Sequence, residues 1–189
     1  DGREAYWTSD FRDFGMTEGR IFYARQKNGK WTSPRIAPFS DNLNCYNPVI
    51  SNDGSALHFF SQPAQEGREP APHIYRVDRA NGGWSEPCVL EIPGMKGYLM
   101  TGFSFAKNGT LYFSTDAADG QGSFDIYLSR LVDGRFAEPE NLGDAINGSY
   151  WESYPYVDPE ERFLIFTSMG RPDGYGGMDL YISFRNADG

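Results

Sequence analysis

Four copies of one short β-forming run constrain this chain more than any other feature. They are AYWTSD from Ala5, LHFFSQ from Leu57, LYFSTD from Leu111 and LIFTSM from Leu164, and their starts lie 52, 54 and 53 residues apart. A second marker keeps the same period: Ile21-Phe22, Ile74-Tyr75, Ile126-Tyr127 and Leu180-Tyr181, at steps of 53, 52 and 54. A third, an aromatic followed by two residues and Pro, runs Trp31…Pro34, Trp84…Pro87 and Phe136…Pro139, at steps of 53 and 52. Three independent markers in one phase identify an internal repeat of about 53 residues.

The content of each copy predicts strands. In the clearest one they span Tyr154–Val157, Phe163–Ser168 and Asp179–Phe184, with Asp158-Pro159 and a Gly-rich loop between them. Asn-Gly and Asp-Gly pairs punctuate the runs at Asp53-Gly54, Asn108-Gly109, Asn28-Gly29, Asn81-Gly82 and Asp133-Gly134. Such pairs predict hairpins with type I′ turns, whose two central residues need positive φ. No window carries a sustained helical apolar period. The expected fold is therefore all-β: a β-propeller of four-stranded antiparallel blades, each of about 53 residues. Counting in phase gives about four blades, over 1–36, 45–90, 99–142 and 154–189. The first lacks its first strand and the last its fourth, so residues 1–189 read as one propeller domain or as a piece of a larger one. Open blade edges make a homo-oligomer a candidate state. Aromatic side chains, at 16% of residues, suit the wedge between facing blades.

The net charge is −9, which argues against nucleic-acid partners and anionic membranes. No apolar run is long enough for a membrane span. The chain starts with Asp rather than Met, which is compatible with a removed leader. Cys45 and Cys88 sit at different phases of the repeat, and the expectation is two reduced thiols. With His58 and His73 they form no zinc pattern.

The last copy also carries a family resemblance. Glu152…Pro155…Asp158-Pro159-Glu160-Glu161…Phe166-Thr167-Ser168…Asp179-Leu180-Tyr181 resembles the bacterial TolB-type, WD-like propeller repeat. Asn108-Gly109…Phe113-Ser114-Thr115…Asp125-Ile126-Tyr127 is similar but less complete, and His73 and Arg20 replace the Asp before the Ile in the two earlier copies. The resemblance covers nearly the whole chain. It implies an exported, periplasmic or cell-surface protein whose repeats serve as a binding platform.

Several residues stand out as site candidates. Glu152 beside Tyr150, Trp151 and Tyr154 combines aromatic faces with a carboxylate, as a sugar site would; Tyr46 and Tyr98 occupy comparable connections. The alternative is that Glu152 hydrogen-bonds backbone or a neighbouring Arg. Asp10 and Asp116 share one phase past the second strand, and with Glu152 they form the acid set an enzyme would need. Solvated loop ends are the other reading. The loops Asp119–Asp125 and Asp173–Asp179 share D-G-x-G-x-x-D. Their carboxylates, Asp119, Asp125, Asp173 and Asp179, are calcium candidates, or else cap backbone N–H groups. No nucleophile elbow, zincin, P-loop or dinucleotide motif is present. The expected function is a non-catalytic exported module that binds protein or glycan through its loop face, with no cofactor. The alternative is a glycoside hydrolase or lyase with carboxylates in a central channel.

Overall fold

The computed structural model describes residues 2–10, 19–41, 44–62 and 73–186, without the side chains of Asp10 and Gln62. The long, charged, Pro-containing run Gln62–Pro72, which reads in the sequence as an exposed loop, lies almost wholly outside the described residues. The described chain forms eighteen strands and one 3-10 turn, Pro38–Ser40, with no α-helix. Among the described residues, no helix is long and apolar enough to cross a membrane.

The strands assemble into antiparallel sheets at the predicted period. The first sheet holds β1 (Glu4–Asp10), β2 (Gly19–Lys27), β3 (Lys30–Trp31) and β4 (Arg35–Ile36). The second holds β5 (Asn44–Ile50), β6 (Ala56–Gln62), β7 (His73–Ala80), β8 (Gly83–Trp84) and β9 (Cys88–Val89). The third runs β10 (Met100–Phe105), β11 (Leu111–Thr115) and β12 (Asp125–Ser129), with the hairpin β13 (Leu131–Val132) and β14 (Arg135–Phe136) leading to β15 (Glu140–Asn141). The fourth is three-stranded: β16 (Trp151–Val157), β17 (Phe163–Met169) and β18 (Met178–Phe184). The fourth strand of a repeat is thus split in two. The break falls at Pro34, Pro87 and Pro139, where a residue without an N–H cannot continue a ladder.

Two kinds of turn replace the single kind expected. Between third and fourth strands both residues are left-handed, at Asn28 and Gly29 (φ 50° and 76°), Asn81 and Gly82 (45° and 78°), and Asp133 and Gly134 (49° and 75°). Between first and second strands only the glycine is, Gly54 at 72° and Gly109 at 89°. There the preceding side chain makes the turn: Asp53 Oδ1 accepts the Ser55 N–H at 2.9 Å, and Asn108 Oδ1 the Thr110 N–H at 2.9 Å. In the last sheet Glu161 holds that left-handed position at φ 57°.

Each first strand of the three later sheets carries a register shift: between Tyr46 and Val49, Met100 and Gly102, and Ser153 and Tyr156. Asn47 and Tyr154, equivalent in the repeat, both have φ 52°. The bulge extends β16 back to Trp151, earlier than the expected start at Tyr154.

The chain forms two compact units, Asp1–Leu90 and Glu91–Gly189. In the first, Ile21, Ala37, Phe39, Cys45, Leu57, Phe59 and Val77 are buried between two sheets. In the second, Ala106, Tyr112, Ile126, Leu128, Ile146, Val157, Leu164 and Phe166 do the same. Burial of each large side chain stabilises by roughly 1.5–3 kcal/mol. Cys45 is buried, Cys88 exposed, and both are free thiols; burial pushes the Cys45 thiol up.

Candidate functional site

The candidate cluster is built where β16 begins. The bulge in β16 leaves Glu152 on the inner side, fully buried at 0% exposure. Its Oε1 accepts from Ser168 Oγ at 2.7 Å and from Arg171 Nη2 at 3.0 Å; its Oε2 accepts the Gly148 N–H at 3.2 Å. The Arg171 guanidinium also donates to the Ile146 carbonyl and lies over the rings of Phe166 and Tyr181, at 5.3 and 4.8 Å. This is a buried charge neutralised by one cation and two neutral donors, the arrangement a carboxylate needs in order to stay out of water.

Around it the two sheets of the unit interlock. Trp151 stacks on Phe124 at 4.9 Å, the Ser123 N–H donates to the Tyr150 carbonyl, and the Glu152 N–H to the Phe124 carbonyl. A Cβ added to Gly122 would meet the Tyr150 carbonyl oxygen at 2.0 Å, so only glycine lets the loop approach this closely. Tyr150 packs over Gly148 and Gly170. Tyr154, half exposed at 52%, lies against the backbone of Gly102.

The two D-G-x-G-x-x-D loops close in the same way. Asp125 accepts the N–H groups of Gln121 and Gly122 and a bond from Asn141 Nδ2, while Asp119 accepts the Tyr127 hydroxyl at 2.8 Å. Asp179 accepts the Tyr175 N–H at 2.9 Å, and Asp173 the Tyr181 hydroxyl at 3.2 Å. Burial and the Asp119 bond push the Tyr127 phenol up to about 12. Among the described residues, no group of three His, Cys, Asp or Glu is placed to hold a metal ion.

No family model and no curated protein matches the chain. Solved structures do. A structure named as TolB from Agrobacterium tumefaciens aligns over 97% of this chain at TM-score 0.63 and 19% identity. The endo-arabinase of Bacteroides thetaiotaomicron aligns over 98% at TM-score 0.55 and 17% identity. The gluconolactonase of Xanthomonas campestris aligns over 87% at TM-score 0.54 and 16% identity. The fold is that of a β-propeller. This propeller chain spans 61% of the Agrobacterium protein, 72% of the arabinase and 50% of the gluconolactonase.

On the propeller scaffold the candidates fall into separate groups. Tyr98, Tyr150, Trp151, Glu152 and Tyr154 belong to the second unit; Tyr46, tilted against Phe60 at 5.5 Å, belongs to the first. Glu152 presents no oxygen to solvent. Asp116 accepts the Leu99 N–H at 2.7 Å and is half-buried. The side chain of Asp10 lies outside the described residues. Sequence reasoning missed Arg171, which holds Glu152, and Glu161, which bridges two blades. Glu161 stands within the repeat motif, but no local pattern points to the partner of either residue, 19 and 49 residues away.

Proposed function

We propose that this propeller is a non-catalytic, exported binding module that takes a protein or glycan ligand through aromatic side chains on its loop face. The burial of Glu152 carries the reading. A hydrolytic site needs one carboxyl group to deliver a proton to substrate and a second to face it across roughly 5–9.5 Å. Glu152 has both oxygens engaged with Ser168, Arg171 and Gly148, and acts on Trp151 and the adjoining Tyr150 by fixing the start of β16. What remains available to a ligand is aromatic surface, chiefly Tyr154, with Tyr98 and Tyr150 half-buried. Tyrosine rings stack on sugar C–H faces and on protein side chains alike.

The test is calorimetric titration with a panel of envelope oligosaccharides and envelope proteins, beside a reducing-sugar assay. A ligand that binds, loses roughly tenfold in affinity with Tyr154→Ala and is not turned over supports the module. Turnover abolished by Asp116→Asn would replace it with a glycan-active enzyme.

A further inference from the structure

Asparagine followed by glycine is a chemically fragile pair, because no Cβ hinders attack of the glycine nitrogen on the asparagine side chain. The sequence holds four such pairs, Asn28-Gly29, Asn81-Gly82, Asn108-Gly109 and Asn147-Gly148. The fold separates them. Asn147 is 3% exposed; its Oδ1 accepts the Ile126 N–H at 2.8 Å, and its Nδ2 donates to the Ile126 carbonyl at 2.9 Å and to Asn141 Oδ1 at 2.8 Å. The Gly148 N–H, the group that would attack, donates to Glu152. Asn108 accepts the Thr110 N–H and donates to Glu161 Oε2, both at 2.9 Å, and the Gly109 N–H donates to the Ala106 carbonyl at 3.0 Å.

Asn28 and Asn81 carry no such restraint. Each is exposed at the tip of a two-residue turn. Among the described residues, neither their side-chain amides nor the N–H groups of Gly29 and Gly82 make a hydrogen bond. The strands that leave these turns, β3 and β8, are two residues long, so the tips open locally at little cost. Opening frees the backbone rotation that brings the side chain onto the glycine nitrogen. The third turn of the set already carries the product residue: Asp133-Gly134 has φ 49° and 75°, against 45° and 78° at Asn81-Gly82.

We propose that Asn28 and Asn81 are sites of spontaneous, one-way deamidation, and that the event at Asn81 loosens the first unit. The Gly82 nitrogen gives its proton to solvent and attacks Asn81 Cγ; the Cγ–Nδ2 bond breaks and Nδ2 leaves as ammonia. Water then opens the resulting succinimide on either side of its nitrogen. Opening at Cγ gives aspartate; opening at the original peptide carbonyl gives isoaspartate. Aspartate keeps the turn, as Asp133 does. Isoaspartate puts Cβ into the main chain, and the lengthened turn no longer sets Arg79 opposite Trp84. Arg79 lies over the Trp84 ring at 4.1 Å and pairs with Glu4, while Trp84 Nε1 donates to the Tyr6 hydroxyl at 3.3 Å. This hairpin therefore holds β1. The Asn28 turn leads instead to Trp31, 52% exposed, where the same lesion disturbs little packing.

The 189-residue chain is aged in mildly alkaline buffer below its unfolding transition and followed by isoelectric focusing and peptide mapping. Isoaspartate should appear first at Asn28 and Asn81. Conversion should be slower by roughly tenfold at Asn108 and roughly a hundredfold at Asn147, in step with the hydrogen bonds that must break first. A variant carrying Asn28→Gly and Asn81→Gly keeps both turns, since glycine suits either central position, and should not acidify over that period. Chains with isoaspartate at 81 should exchange their β1 amides faster than fresh protein; chains modified only at 28 should not. Conversion at Asn108 or Asn147 as fast as at the two turns overturns the proposal. So does the lack of isoaspartate at either turn once a free peptide of Arg79–Trp84 has converted. Unchanged β1 exchange in chains modified at Asn81 overturns the loosening of the first unit.

Discussion

The Glu152 carboxylate and the Arg171 guanidinium meet at 3.0 Å, 19 residues apart in sequence, with the acid out of contact with solvent. Removing one partner leaves a buried charge without its counterion. Arg171→Met should destabilise the second unit by about 3–5 kcal/mol. Glu152→Gln, which keeps hydrogen-bonding capacity, should cost less but remain clearly destabilising. The double variant should fall well short of the sum of the singles. Urea unfolding of the four proteins checks this.

Glu161 combines an unfavourable backbone with a favourable side chain. At φ 57° it occupies the site that Gly54 and Gly109 hold in other blades. Its carboxylate accepts the Tyr112 hydroxyl at 2.8 Å, Asn108 Nδ2 at 2.9 Å and Arg185 Nη1 at 3.2 Å. Glycine would relieve about 1 kcal/mol of backbone strain, but hydrogen bonds to a charged group contribute roughly 1.5–3 kcal/mol each. Glu161→Gly should therefore be net destabilising. In a Tyr112→Phe background its penalty should shrink. Thermal unfolding of the set gives the coupling.

His58 sets an acid-side slope. Burial, reinforced by Arg76 and opposed by Asp78, lowers its pKa to about 4 from 6.5. The unfolded chain then binds more protons than the folded one between those values, so stability falls as pH drops from 6.5 toward 4. The loss should be on the order of 3 kcal/mol. Asp53 and Asp158, both held at about 2 from 3.8, act in the same direction, but only below 3.8. Their carboxylates stabilise the fold above that pH, and this contribution is lost as pH falls through 2. The difference between wild type and His58→Gln, followed by urea midpoint against pH, should isolate the histidine window.

Two glycines of the shared loop motif should differ sharply in their tolerance of a side chain. A Cβ at Gly122 would meet the Tyr150 and Gly148 carbonyl oxygens at 2.0 and 2.7 Å, and one at Gly176 meets nothing within 4 Å. Gly122→Ala should destabilise by about 2 kcal/mol or more, since backbone must move. Gly176→Ala should stay within about 0.5 kcal/mol of wild type. The near-ultraviolet signal of Trp151 on Phe124 should change only in the first.

The strands and their period were legible in the sequence, because alternation of side chains and the turn residues act within a few residues of chain. Ile126-Tyr127 and Leu180-Tyr181 look the same at that range. Only the tertiary structure separates them, Ile126 at 0% exposure and Leu180 at 76%, since burial depends on what packs across the sheet. The same holds for the candidate site. The sequence placed Glu152 among aromatic residues and named an Arg partner as one reading, but it did not identify Arg171 or show that the carboxylate faces inward. That was decided by the bulge between Ser153 and Tyr156 and by a guanidinium arriving from the loop after β17, contacts that no local pattern encodes.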